Sequence, residues 1–148
     1  MTRVFLFIAC TFGLSAVALG AFGAHRLTPL LHPEQLHSWQ TGVQYQFFHT
    51  FALFMAALLG RYLDRKKTRL AAWFFIAGVV FFSGSLYLLS TADVLGIPDF
   101  KGVLGPLTPL GGVLLMAGWA VLFWASNGYV KRRWYRKGED SDYPVEKE

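Results

Sequence analysis

Charge is what this sequence has least of. Asp, Glu, Lys and Arg make up 16% of its 148 residues, against about 25% in an average soluble domain. Four stretches, residues 4–24, 35–60, 70–92 and 102–130, contain none of them. That scarcity excludes a disordered chain and a coiled coil, and it nearly excludes a soluble enzyme domain. Cysteine is scarcer still. Cys10 stands alone, which excludes an internal disulfide and any multi-cysteine metal site. It lies inside the first apolar run and reads as a small packing residue. Catalytic templates are missing as well: no Gly-x-Ser-x-Gly, no phosphate-binding Gly-Lys-Ser/Thr and no His-Glu-x-x-His occurs. The chain therefore reads as non-enzymatic, with no cofactor and no metal.

What is present is apolar length. Hydrophobic residues make up 54% of the chain and aromatics 17%. About 20 uncharged apolar residues cross a bilayer core, and such a segment must be helical because its backbone finds no water there. The expected architecture is all-α: a polytopic bundle of four transmembrane helices, with spans near residues 4–24, 43–62, 70–92 and 110–126. The bundle would be a single domain over residues 1–130. Residues 131–148 would then form a basic juxtamembrane segment and a disordered acidic tail. Span one has the order of residues seen in a signal peptide, but its apolar run exceeds the usual ~7–15 residues, so it is read as a retained span.

The few charges set an orientation. Arg3, the middle link (Arg61, Arg65, Lys66, Lys67, Arg69) and the C-terminal segment (Lys131, Arg132, Arg133, Arg136, Lys137, Lys147) carry twelve basic residues, against two on the other side, Arg26 and Lys101. The positive-inside rule puts both termini and the middle link in the cytoplasm of an inner-membrane protein. The net charge of +5 thus reports orientation rather than nucleic-acid binding. Lys131, Arg132, Arg133, Arg136 and Lys137 are expected on anionic lipid headgroups.

Small residues predict how the helices meet, because close backbone approach drives helix association in lipid. In span one Ala9, Gly13, Ala16, Gly20 and Ala24 stay within roughly 80° of arc, which predicts a close-packed central helix. Span two offers Gly42, Ala56 and Gly60. Span three offers Ala77 and Gly84, and span four Gly111 and Gly118. These faces can serve contacts within one chain, with a second copy, or with another membrane protein. Before span two, Pro33 starts a pattern with Leu36, Trp39, Val43 and Phe47 on one face. It predicts a short interfacial helix running into span two, with Trp39 near the headgroups. Leu-Thr-Pro-Leu occurs at residues 27–30 and again at 107–110, a faint sign of internal duplication.

All four histidines (His25, His32, His37, His49) fall in the first outer link or the outer half of span two. They lack a dependable ligand spacing. His49 is set apart by lying about two turns inside span two, with Gln46 a turn earlier and Tyr45 four residues before it. A polar residue there faces the bundle interior or a watery cavity. It reads either as an interhelical hydrogen bond, with Ser83, Ser85 or Tyr87 as the partner, or as a substrate contact in a small transporter or channel. No span contains a carboxylate or a basic residue for ion coupling, which favours the structural reading.

Four blocks in order now carry a resemblance: Leu19-Gly20-Ala21-Phe22-Gly23-Ala24-His25; Trp39-Gln40-Thr41-Gly42-Val43-Gln44-Tyr45-Gln46-Phe47-Phe48-His49; Phe82-Ser83-Gly84-Ser85-Leu86-Tyr87; and Leu107-Thr108-Pro109-Leu110-Gly111-Gly112 with Gly118-Trp119. The chain resembles the small bacterial inner-membrane proteins typified by YgdD and YwdK, whose animal counterpart is transmembrane protein 256. The resemblance covers roughly residues 5–123 and implies a four-span helical protein of unknown function, with no catalytic residue to carry over. It also implies that His25, Tyr45, Gln46, His49, Ser83, Ser85 and Tyr87 share one polar cluster.

Overall fold

The structure, a computed structural model, describes the backbone of residues 2–139 and the side chains of residues 2–127. Among these there are four long helices and no strand. Helix α1 is Thr2–Phe22, α2 is Pro33–Leu59, α3 is Arg65–Thr91 and α5 is Leu107–Glu139; the short α4, Lys101–Leu104, lies between α3 and α5. Thr2–Leu27, Arg65–Thr91 and Pro98–Asn127 are long and apolar enough to cross a membrane. Helix α2 is equally long, but Gln40, Gln44, Gln46, His37 and His49 dilute its apolar surface.

Each helix starts and stops for a local reason. Pro33 occupies the first turn of α2, where its missing N–H costs nothing, and the Gln35 side chain reaches back to accept from the His32 N–H at 2.9 Å. The segment before span two is therefore drawn into one uninterrupted helix with it. Asp64 caps α3 by accepting from the Lys66 and Lys67 N–H groups at 2.9 and 3.1 Å. Helix α1 ends in a π-helical turn, Gly23–Leu27, closed by the Thr28 hydroxyl donating to the Gly23 and Ala24 carbonyls at 3.2 and 2.9 Å. Helix α5 runs on past the expected end at residue 126, through Asn127 and Gly128 to Glu139, with no proline in that stretch. The acidic tail, residues 140–148, and the side chains of Lys131, Arg132, Arg133, Arg136 and Lys137 lie outside the described residues. The two Leu-Thr-Pro-Leu segments play opposite parts, one leaving a helix and the other starting one.

The helices pack in chain order: α1 on α2, α2 on α3, α3 on α5. This corrects the central place expected for α1. Its small-residue stripe does face α2, with Ala9 and Ala16 buried. Its other faces are open, as Phe7 and Leu14 at 74% and 75% exposure demonstrate. Cys10 is exposed too, so it is not the packing residue expected. The α1 stripe meets chiefly α2, α2 packs on both α1 and α3, and α3 carries two stripes. One, with Ala72, Val79 and Ser83, turns toward α2. The other, Phe75, Gly78, Phe82 and Ser85, forms an antiparallel seam with α5. Along that seam Ser85 meets Thr108 at 2.7 Å, Phe82 meets Gly111, Gly78 meets Leu115, and Phe75 meets Gly118. At its far end the Lys67 ammonium sits 3.9 Å from the centre of the Trp124 ring.

Gly111 is the tightest point. A Cβ there would fall on the backbone N and Cα of Phe82, so no side-chain motion could make room. Gly84 differs from its expected packing role, since a Cβ would meet nothing within 4 Å. Gly78 does that work in α3, because it, and not Gly84, shares the face of Phe75 and Phe82.

Candidate functional site

The distribution of polarity is inverted relative to a soluble protein. Gln46, His49, Thr50, Thr68, Ser83, Ser85 and Ser90 are buried, while Phe48, Phe51, Trp73, Met116 and Phe123 are more than half exposed. Such a surface suits hydrocarbon, and the buried groups must then find partners inside the chain.

Thr50, Thr68 and Ser90 donate to carbonyls one turn back in their own chain segment, and the polar contacts between helices form at three separate places rather than in one cluster. The first joins α1, α2 and α3. The Gln46 amide donates to the Phe12 carbonyl at 2.8 Å and to the Ser15 hydroxyl at 2.7 Å. Its carbonyl oxygen accepts from the Tyr87 hydroxyl at 2.9 Å. Trp39 lies tilted against Tyr87 with ring centres 4.7 Å apart and donates its indole N–H to the Leu19 carbonyl at 3.0 Å. It is 5% exposed, so its ring is turned into the bundle. The notch at Gly23 admits the ring, since a Cβ there would come within 2.5 Å of the indole nitrogen.

The second place holds His49. Its Nδ1 pairs with the Tyr45 carbonyl at 2.8 Å, one turn back on its own helix. Its Nε2 lies 3.3 Å from the Trp119 indole nitrogen. With Nδ1 protonated, Nε2 accepts the Trp119 N–H, so one neutral tautomer satisfies both contacts. Rings of Tyr45, Phe75 and Trp119 surround it at centre distances of 5.9, 5.8 and 6.3 Å. The partners expected from span three are thus replaced by a backbone carbonyl and a tryptophan of α5. Gln46 and His49 lie about 60° apart around α2, enough to send one toward α1 and the other toward α5.

The third place is the Ser85–Thr108 pair. Ser83, one turn before Tyr87, is 1% exposed, and among the described residues its Oγ is the buried side-chain oxygen left without a partner. His25 is exposed in the π-helical turn and no hydrogen bond or ring contact joins it to the others. Among the described residues no three His, Cys, Asp or Glu side chains gather as a metal-binding group. Ser15, Trp39, Thr108 and Trp119 take part without having been singled out as partners. For Trp119 a signal existed, because the Gly111–Gly118 spacing marks the seam and Trp119 adjoins it.

On the side of the α3–α5 link, Asp93 accepts from the Lys101 ammonium at 2.7 and 2.8 Å and from the Gln35 amide at 2.7 Å. The Lys101 ammonium beside it holds the Asp93 carboxyl below its usual pKa. The clasp ties the start of α2 to the link between α3 and α5.

Residues 19–112 match a family described as protein of unknown function (DUF423). The chain is 39% identical over 129 residues to the UPF0382 membrane protein YwdK of Bacillus subtilis, covering 86% of this chain and 99% of that one. It is 39% identical over 127 residues to the UPF0382 inner membrane protein YgdD of Escherichia coli, covering 82% and 87%. A UPF0382 membrane protein of Haemophilus influenzae is 36% identical over 126 residues, covering 85% and 95%. No solved structure matches the chain.

Proposed function

Since the chain belongs to the DUF423 family of membrane proteins, we propose that it is a four-span inner-membrane protein acting as a non-enzymatic structural or interaction module. Helix α2 is the fourth crossing. Its 27 residues extend about 40 Å, it packs between α1 and α3, and the Arg-rich link that follows it lies on the cytoplasmic side with both termini. The aromatic faces meet lipid, and the basic segment Lys131–Lys137 rests on anionic headgroups or on a membrane-protein partner.

The observation that supports a structural role over transport is the setting of His49. It is 7% exposed, engaged at both ring nitrogens and enclosed by three aromatic rings. A proton relay or a substrate contact needs a free nitrogen and a watery approach. The test is His49→Ala. Removing the link to α5 is expected to lower stability in detergent by about 1–2 kcal/mol, read from thermal or denaturant melting. Unchanged stability together with a lost solute flux in reconstituted vesicles would replace this reading with that of a small transporter.

A further inference from the structure

One face of α2 is neither covered by the chain nor suited to plain hydrocarbon. His37, Gln40, Gln44, Phe47 and Phe51 fall within roughly 80° of arc, and all five are exposed. None of the three polar side chains has a partner among the described residues. Beside this face lies a groove of about 420 Å³, lined by Gly20 of α1 and by Trp39, Gln40, Val43, Gln44 and Phe47. That volume falls in the range of small-molecule sites, ~300–1,000 Å³. The small Gly20 opens the α1 wall, and the buried Trp39 forms part of the floor.

Depth gives the face its meaning, and this step rests on α2 crossing the bilayer. Counting back from Leu59 at the cytoplasmic end, a core of about 30 Å at 1.5 Å per residue reaches its outer edge near Trp39. Gln40 then lies at the level of the lipid glycerol esters, Gln44 about 6 Å deeper, and Phe47 and Phe51 among the acyl chains. An unpaired amide at the depth of Gln44 is costly in hydrocarbon. The stripe therefore changes from hydrogen-bonding to aromatic at the depth where a phospholipid changes from ester to chain.

We infer that this groove holds one outer-leaflet glycerophospholipid, with the Gln40 and Gln44 amides donating to its ester carbonyl and phosphate oxygens and one acyl chain lying along Phe47 and Phe51 past Gly20. No Lys, Arg, Asp or Glu lines the groove, so the contact depends on the glycerol ester region that all such lipids share rather than on headgroup charge.

The test is native mass spectrometry of the full chain after reconstitution in vesicles of phosphatidylethanolamine and phosphatidylglycerol. One retained phospholipid per chain is expected. Gln40→Leu/Gln44→Leu should reduce that retention by roughly tenfold, with helicity and melting unchanged because both side chains are exposed. A photoreactive benzoylphenylalanine placed at Phe47 should crosslink phospholipid. Equal retention by the double variant, or a crosslink to a second copy of the chain, would overturn the site. Labelling with a membrane-impermeant maleimide separates this from failure of the four-span reading. In a Cys10→Ser background, Glu34→Cys and Tyr62→Cys should react from opposite faces of the membrane. Reaction from one face overturns both the crossing and the site. Opposite faces with unchanged lipid retention overturns the site alone.

Discussion

At the scale of the residue, what matters is whether each buried polar atom is paired. Tyr87 and Ser83 lie one turn apart on α3 and are opposites in this respect. The Tyr87 hydroxyl completes the hydrogen bonding of Gln46, so Tyr87→Phe strands an amide oxygen between helices. It is expected to cost about 1–2 kcal/mol, checked by melting in detergent. The Ser83 hydroxyl has no partner to lose. Ser83→Ala is therefore expected to leave the midpoint unchanged or raise it, by up to about 1 kcal/mol. A drop as large as that of Tyr87→Phe would mean that the two hydroxyls share a network. The sequence marked both residues as polar positions in an apolar helix. It could not separate them, because pairing depends on what the facing helix presents at the same height.

At the scale of the element, the α3–α5 seam is decided by backbone contact. At Gly111 an added side chain collides with the main chain of Phe82, whereas at Gly84 it meets open space. Gly111→Val is expected to destabilise by about 1–3 kcal/mol. Gly84→Val should be tolerated, and a thermal-shift comparison of the two checks the difference. The seven-residue spacing of Gly111 and Gly118 was legible, since it is a property of one helix. The partner glycine in α3 was not, because Ala77, Gly78 and Gly84 are all small, and choosing among them requires the rotation of α3 about its axis. The clasp of Asp93 with Lys101 and Gln35 belongs to the same scale. Because the Asp93 pKa is lowered in the folded chain, its contribution is present above the carboxyl's ordinary pKa and is lost as pH falls through the lowered value. Lys101→Met is expected to move the Asp93 titration upward, toward its ordinary position, as followed by the carboxyl carbon resonance.

At the scale of the whole molecule, an apolar exterior surrounds a few paired polar groups, and helices follow one another in chain order. Among the described residues three helical segments are apolar enough to cross on their own account. The fourth crossing proposed here, α2, places Gln46 and His49 against its neighbours rather than against lipid. If α2 crosses, the charged links must alternate sides. A reporter fused at Arg65, where α3 begins, or after Glu148, is expected to be active only in its cytoplasmic form, and one fused at Leu30 or at Asp99 only in its exported form. Matching activity at Leu30, which precedes α2, and at Arg65, which follows it, would remove α2 from the count of spans.

By itself the sequence determined the class: an all-helical membrane protein, with its basic residues segregated and its small residues spaced for close packing. Those properties follow from length, composition and periodicity along one chain, and they need no knowledge of a neighbour. Tertiary structure alone decided that α3 rather than α1 carries two packed faces. It also decided that His49 turns to Trp119 while Gln46 turns to Ser15 and Tyr87, and that Gly78 and Gly111 rather than Gly84 mark the close approaches. Each depends on how far a helix is rotated and how deep it sits beside the next. A rotation of about 60° about α2 separates two polar residues into different sites, and many different rotations are compatible with the same sequence periodicity.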